Sequence, residues 1–356
     1  MSLLKLPGLI DPHVHFREPG ATHKEDFTTG SAAALSGGVV AVIDMPNNPT
    51  PTVDRLSLEN KEEIAKNKSL CDYGFHFGAS PNDNTSEFEK VKDRVAGLKV
   101  YMNQTTGNLL IEDDQLIEKV FAAWPKDKPL LVHAEEGTCE KALELAKKVG
   151  RRLHICHISL AHEIRLIKKA KEEGFPVTCE VTPHHLLLTQ EDAKRLGPYG
   201  RMKPFLAGRT DVETLWENID FIDMVATDHA PHTREEKESD TPPFGIPGLE
   251  TAFPLMFTKV KEGRLQLQDL IRLMFDGPKK VFSIETAENT FIEVDPDEEY
   301  ILSESDLKTK CGWSAFIGWK LRGGVKRVTI RGKLVYENGK ILAKPGFGKP
   351  IQFKGV

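Results

Sequence analysis

Eight short apolar runs, each about as long as one β-strand, recur along the chain with helix-length amphipathic stretches between them, and no other feature restricts the fold as tightly. The runs are Gly8 to His15, Val39 to Met45, Tyr73 to Ala79, Leu98 to Asn103, Leu130 to Ala134, Leu153 to Ser159, Val177 to Val181 and Met224 to Asp228. Between them lie Asp26 to Ser36, Asn60 to Lys66, Glu87 to Val95, Asp114 to Ala123, Glu140 to Val149, His162 to Glu173 and Asp211 to Ile219. Alternating strands and helices predict a parallel sheet, and eight such units predict closure into an α/β fold of the (β/α)8 TIM-barrel type. An open doubly wound sheet would show the same alternation, but would more often carry a glycine-rich phosphate loop after its first strand. No such loop follows Gly8 to His15.

The 356 residues suit one such barrel with insertions. With 39% apolar and 28% charged residues and a net charge of −5, the composition favours neither disorder nor a basic nucleic-acid surface, so a small-molecule substrate is expected. Cys71, Cys139, Cys156, Cys179 and Cys311 are odd in number and far apart, which argues against a secreted disulfide framework. Met1 to Gly8 lacks the apolar core of a signal peptide, and a cytoplasmic location is expected. Beyond the eighth run come a Pro/Gly-rich stretch, Thr241 to Gly248, and helical sequence over Thr251 to Lys261 and Leu267 to Phe275. Val325 to Ile330, Lys333 to Tyr336 and Lys340 to Ala343 are strand-like, with Asn338-Gly339 as a two-residue hairpin turn. The expected division is a barrel over residues 1–300 and a small β extension over 301–356, packed beside it.

Several runs end abruptly in a polar residue, where a barrel strand delivers side chains to its catalytic C-terminal rim. The first ends Asp11-Pro12-His13-Val14-His15-Phe16-Arg17. Strand side chains repeat every two residues, so His13 and His15 share a side and can share a metal ion, although two surface histidines would read the same way. His133 and His157 close two further runs, making four histidines on three strand ends, a set suited to zinc or a similar divalent ion. His154 reads as a satisfied core residue. Asp228 ends the eighth run and either caps the next turn or, beside a metal cluster, acts as ligand and proton carrier. Lys99 stands inside an apolar run, where a buried ammonium is costly. It needs a partner, a route to solvent, or a change of charge such as carbamylation by carbon dioxide.

Together these segments resemble the amidohydrolase superfamily and, within it, the dihydroorotases, in particular the dihydroorotase domain of the animal-type multifunctional pyrimidine enzyme. Asp11 to Gly20 is similar to the first signature of that family, and Ala226 to His232 followed by Lys237 to the second. Met45-Pro46-Asn47 and Gly245 to Glu250 also fit, and the likeness runs from Gly8 to about Gly348. It implies two zinc ions, one held by His13, His15, Lys99 and Asp228, the other by Lys99, His133 and His157, with Lys99 carboxylated and bridging. A hydroxide between the ions would attack the ring amide of dihydroorotate while Asp228 moves the proton. In reverse, N-carbamoyl-L-aspartate would cyclise with loss of water, a step of pyrimidine (UMP) biosynthesis.

The resemblance further implies that Arg17, Asn47 and His232 hold the substrate's carboxylate and ring, that the backbone of Pro247 and Gly248 completes the pocket, and that Thr105 and Lys203 are further contacts. Cys156 and Glu180, with a first-strand histidine, are implied as ligands of a third zinc, although strict alternation turns Cys156 away from His157. Otherwise Cys156 is a small buried hydrophobe and Glu180 a polar neighbour of the centre. Lys203 stands where the animal-type domain has arginine, and Thr106 where its lid has phenylalanine. Hydantoinases share the metal centre without needing an anion contact at Arg17, and a catalytically silent barrel would have lost metal ligands that this chain retains. Homodimerisation is implied, as is a place in a longer polypeptide beside carbamoyl phosphate synthetase and aspartate carbamoyltransferase, with a shortened free-standing enzyme as the alternative.

Overall fold

The computed structural model describes residues 2–353. Its barrel is built from β2 (Leu9–Val14), β3 (Val39–Asp44), β4 (Asp72–Phe75), β5 (Phe77–Gly78), β6 (Leu98–Tyr101), β7 (Leu130–His133), β8 (Leu153–Ile155), β9 (Val177–Val181) and β10 (Met224–Val225), after a short leading strand β1 (Leu4–Pro7). β4 and β5 are two parts of one barrel position, parted at His76, so the nine segments fill eight places. Every neighbouring pair is parallel, from β2 through β4 and from β5 through β10. Closure comes from a parallel bridge between Val14 and His229, with the His15 amide donating to the His229 carbonyl at 2.8 Å.

The strands are continuous apolar runs because both of their faces are covered; β2, β3, β6 and β7 are buried at every residue. The helices between them have local causes. Asp26 caps Phe27–Ser36, accepting from the amides of Thr28 at 2.9 Å and Thr29 at 3.0 Å, and Asp113 caps Asp114–Ala123 through the Gln115 amide. The helix Gly137–Val149 ends at Gly150, whose φ of +64° suits glycine.

The flanking sheet is antiparallel and ordered β1-β11-β12-β13-β14, with β11 Phe291–Ile301, β12 Lys320–Ile330, β13 Lys333–Glu337 and β14 Lys340–Ile341. The expected hairpin is present, with Asn338 at φ +46° and Gly339 at φ +82°. Two of its strands were not anticipated. β1 comes from the opposite end of the chain, and β11 begins nine residues before the division at 300 and crosses it. Their signals are weak for physical reasons: β1 has four residues, and β11 carries Pro296 and five acidic residues around a register shift between Asp295 and Glu299. No helix among the described residues is long and apolar enough to cross a membrane.

One buried ion pair ties the rim of the barrel to a helix. Lys61, on the helix Arg55–Lys68, pairs with Asp44 at the end of β3 and donates to Met45 O at 2.8 Å and Asn48 Oδ1 at 2.7 Å. Asp44 in turn accepts the Phe16 amide at 2.7 Å, which holds the end of β2 beside β3. Both side chains are fully buried. Replacing Lys61 by Met leaves the Asp44 carboxylate uncompensated and should lower stability by about 3–5 kcal/mol. Equilibrium urea unfolding measures this, and a loss below about 1 kcal/mol, the worth of an exposed pair, would mean that Asp44 is satisfied without Lys61.

Candidate metal centre

The strand ends converge on one cavity at the C-terminal rim, lined among others by His13, His15, Lys99, His133, His157 and Asp228. His15 Nε2 lies 2.9 Å and His13 Nε2 3.4 Å from Asp228 Oδ1. His133 Nδ1 and His157 Nε2 lie 2.9 Å apart. Arg17, His157 and Asp228 take left-handed φ values of +61°, +34° and +47°, a conformation that non-glycine residues adopt only when their surroundings hold them there. The turn at His157 has a direct consequence. It breaks the alternation after β8, so that Cys156 and His157 both face the centre and Cys156 joins His13 and Glu180 in a second compact group of potential ligands. His154 is a satisfied core residue, 2.9 Å from Thr178 Oγ1 and 3.2 Å from Glu180 Oε2.

Charge in the centre is unbalanced in a way that a cation corrects. Burial would lower the pKa of His13, but the carboxylates of Glu180 and Asp228 outweigh it together with the Lys99 ammonium and raise it to about 10. Burial takes His15 the other way, to about 3 against the pull of Asp228, and depresses His157 well below the ordinary histidine range. Asp228 is held below the ordinary carboxylate range in spite of its burial, chiefly by His13. One imidazole is thus charged for the carboxylates to share, while its neighbours present bare nitrogens; a divalent ion competes with that proton for the same atoms. The ligand atoms of His13, His15 and Asp228 lie within 4.8 Å of one another, as do those of His13, Cys156 and Glu180. Lys99 Nζ is fully buried with no hydrogen-bond partner, and the same is true of His157 Nδ1 and the Tyr101 hydroxyl.

Arg17 lies buried at the cavity wall, its Nε donating to Pro231 O at 3.0 Å and its Nη2 3.1 Å from His232 Nε2. Asn47 is engaged on both sides: His15 Nδ1 lies 2.8 Å from its Oδ1, and its Nδ2 donates to Thr106 O at 2.8 Å. Asn47 therefore orients the ring of His15 as well as lining the cavity. Thr105 and Thr106 both reach the cavity, and the Thr106 hydroxyl donates to Phe244 O at 3.1 Å. Pro247 and Gly248 do not line this cavity; they line a smaller one with His229 and Trp313, whereas Ala230 and Gly245 line the main site, and His232 stands behind Arg17 rather than in the lining. Glu135, which the strand-end reading passed over, touches His133 and Lys203; its spacing of two from His133, which puts both on one side of an extended segment, was the available signal.

A family model described as Amidohydrolase family matches residues 4–335. The dihydroorotase of Pyrococcus abyssi is 36% identical over 96% of this chain and 85% of its own length. The multifunctional protein CAD of Squalus acanthias is 45% identical over 98% of this chain, which spans only 16% of that longer protein. Among solved structures, the L-hydantoinase (dihydropyrimidinase) of Arthrobacter aurescens superposes with a TM-score of 0.93 at 27% identity, covering 98% of this chain and 89% of the other. The chain belongs to the amidohydrolase family and, within it, to the dihydroorotases.

If the centre takes metal as its chemistry suggests, zinc at about 1000 times its dissociation constant should stabilise the fold by about 4 kcal/mol, with reversal by a chelator. His13→Ala, which removes a member of both ligand groups, should lose most of that gain. Thermal unfolding with and without zinc checks this; an undiminished shift in the variant would place the ion elsewhere.

Proposed function

We propose that the chain is a zinc-dependent dihydroorotase, interconverting N-carbamoyl-L-aspartate and L-dihydroorotate plus water. The observation that carries this reading is a buried arginine, Arg17, in the wall of the same cavity as His13, His15 and Asp228, because a guanidinium fork suits the carboxylate of this substrate. His13, His15, Lys99 and Asp228 would hold one ion and Lys99, His133 and His157 the other, with His13, Cys156 and Glu180 as a third site. Bound there, zinc supplies a nucleophilic water at neutral pH and polarises the amide carbonyl.

The orphaned Lys99 nitrogen supports carboxylation: the ammonium first gives up one proton, the neutral amine adds to carbon dioxide to form an N–C bond, and a second proton leaves, so that a costly buried cation becomes an anion among imidazoles. Asp228, held ionised next to His13 and His15, accepts the proton of the attacking water and returns it to the ring nitrogen as the C–N bond breaks. The ring opens to the carbamoyl acid; cyclisation runs the same transfers backwards. Arg17, Asn47, Thr105 and Lys203, which line the cavity, would bind substrate; His232, 3.1 Å from Arg17 Nη2 but outside the lining, would support Arg17, and Ala230 and Gly245 rather than Pro247 and Gly248 would face the substrate.

Hydantoinases share the fold, but a neutral ring leaves the buried cation at Arg17 without an anion to match it. A silent barrel is disfavoured by the full set of strand-end ligands. As the family resemblance implies, the chain would work in the cytoplasm as a homodimer and beside carbamoyl phosphate synthetase and aspartate carbamoyltransferase in a longer polypeptide; the multifunctional relative it matches is far longer than this chain, which spans 16% of it. The test is turnover of N-carbamoyl-L-aspartate and dihydroorotate beside an uncharged hydantoin; preference for the hydantoin would move the chain to the other branch. Asp228→Asn should lower kcat by about 10²- to 10⁴-fold while elemental analysis still finds metal, and undiminished turnover would remove Asp228 from proton transfer.

A further inference from the structure

One carboxylate outside the candidate ligand set touches two parts of the site at once. Glu135 Oε1 lies 2.9 Å from His133 Nε2, and Glu135 Oε2 lies 3.3 Å from Lys203 Nζ. The other nitrogen of the same imidazole, His133 Nδ1, is the atom 2.9 Å from His157 Nε2. An imidazole that gives its Nε2 proton to a carboxylate keeps a bare Nδ1, and here that Nδ1 faces the centre. Glu135 is itself held in place: its amide donates to Asn103 Oδ1 at 2.8 Å, and its carbonyl accepts the Thr138 hydroxyl at 2.7 Å. Lys203 Nζ also lies over aromatic faces, 4.1 Å from the Phe205 ring centre and 5.9 Å from that of Phe244. Lys203 and His133 both line the cavity.

We infer that Glu135 is a shared positioning residue: one oxygen fixes the ring of His133 for metal binding, and the other holds Lys203 at the cavity mouth until a substrate carboxylate replaces it. The inference rests on the metal-centre reading given above. Its consequence for binding is competitive. A substrate anion must take Lys203 from an existing partner, so Glu135 sets how readily the mouth accepts an anion as well as how well His133 binds metal.

The two roles separate by substitution. Glu135→Gln keeps an acceptor for His133 Nε2 but removes the charge facing Lys203; Glu135→Ala removes both; Lys203→Met leaves the His133 contact intact. Zinc affinity, measured on the whole chain by competition with a chromophoric chelator, should fall about 10- to 100-fold in Glu135→Ala and stay within about threefold of the parent in Glu135→Gln and Lys203→Met. Equal affinity in all four proteins overturns the role at His133, and so does an equal loss in Glu135→Gln and Glu135→Ala. The KM for N-carbamoyl-L-aspartate should fall about threefold or more in Glu135→Gln and rise about tenfold or more in Lys203→Met, with kcat changing less. A rise in Glu135→Gln overturns the competition. Zinc affinity needs no substrate, so a parent chain that fails to turn over dihydroorotate would refute the functional reading and still leave the role at His133 decided.

Discussion

The hydrogen bond from the His15 amide to the His229 carbonyl, 2.8 Å long, closes the barrel, and the whole site depends on that closure. His13 stands on the first barrel strand, His15 just beyond it and Asp228 just beyond the last, more than 200 residues later, yet Asp228 Oδ1 sits 2.9 Å from His15 Nε2. A parallel sheet that stayed open would leave these side chains on opposite edges. Closure has a conformational cost, carried by the left-handed backbone at Arg17 and Asp228, and the packed rim around them meets it. The Asp44–Lys61 pair works in the same direction by holding the Phe16 amide, one residue beyond His15.

Burial makes the electrostatics of the rim selective. Charges taken out of water must be matched locally, and most here are: Asp44 by Lys61, Glu180 by His13 and His154, Glu135 by His133 and Lys203. At the centre itself Lys99 Nζ and His157 Nδ1 have no hydrogen-bond partners, and the carboxylates of Glu180 and Asp228 raise the pKa of His13 against its burial. These nitrogens lie within reach of several candidate nitrogen and oxygen ligands, so the proposed ion and the proposed carboxylation of Lys99 would both relieve the imbalance there.

The barrel was legible because its strands are buried on both faces and read as unbroken apolar runs, and the helix Asp114–Ala123 has the limits its periodicity predicts. The candidate ligands could be picked out because polar residues at the ends of such runs are conspicuous. Alternation misled at Cys156, where the φ of +34° at the next residue turns two successive side chains the same way, a property of backbone that no spacing rule carries. The flanking strands β1 and β11 were hidden by brevity and by charge. The contacts of Glu135 with Lys203, 68 residues apart, follow from tertiary packing alone, whereas its pairing with His133 is a spacing of two that was open to reading.

On the proposed function, the contacts at the mouth of the site would set its selectivity for an anionic ring. Lys203 is paired with Glu135, Asn47 with Thr106 O, and Arg17 with Pro231 O beside His232. A substrate carboxylate bound there would have to displace some of these existing partners, and its net gain would be the difference between the bonds made and those given up. A neutral ring of the same shape would break these contacts and leave cationic groups less well matched than before. Discrimination then comes from the cost charged to the wrong ligand as much as from attraction for the right one. The bond from Asn47 to Thr106 O adds a mechanical link, because Asn47 also orients His15: a ligand that draws the amide of Asn47 away from Thr106 acts at once on the loop above the cavity and on a ring of the metal centre.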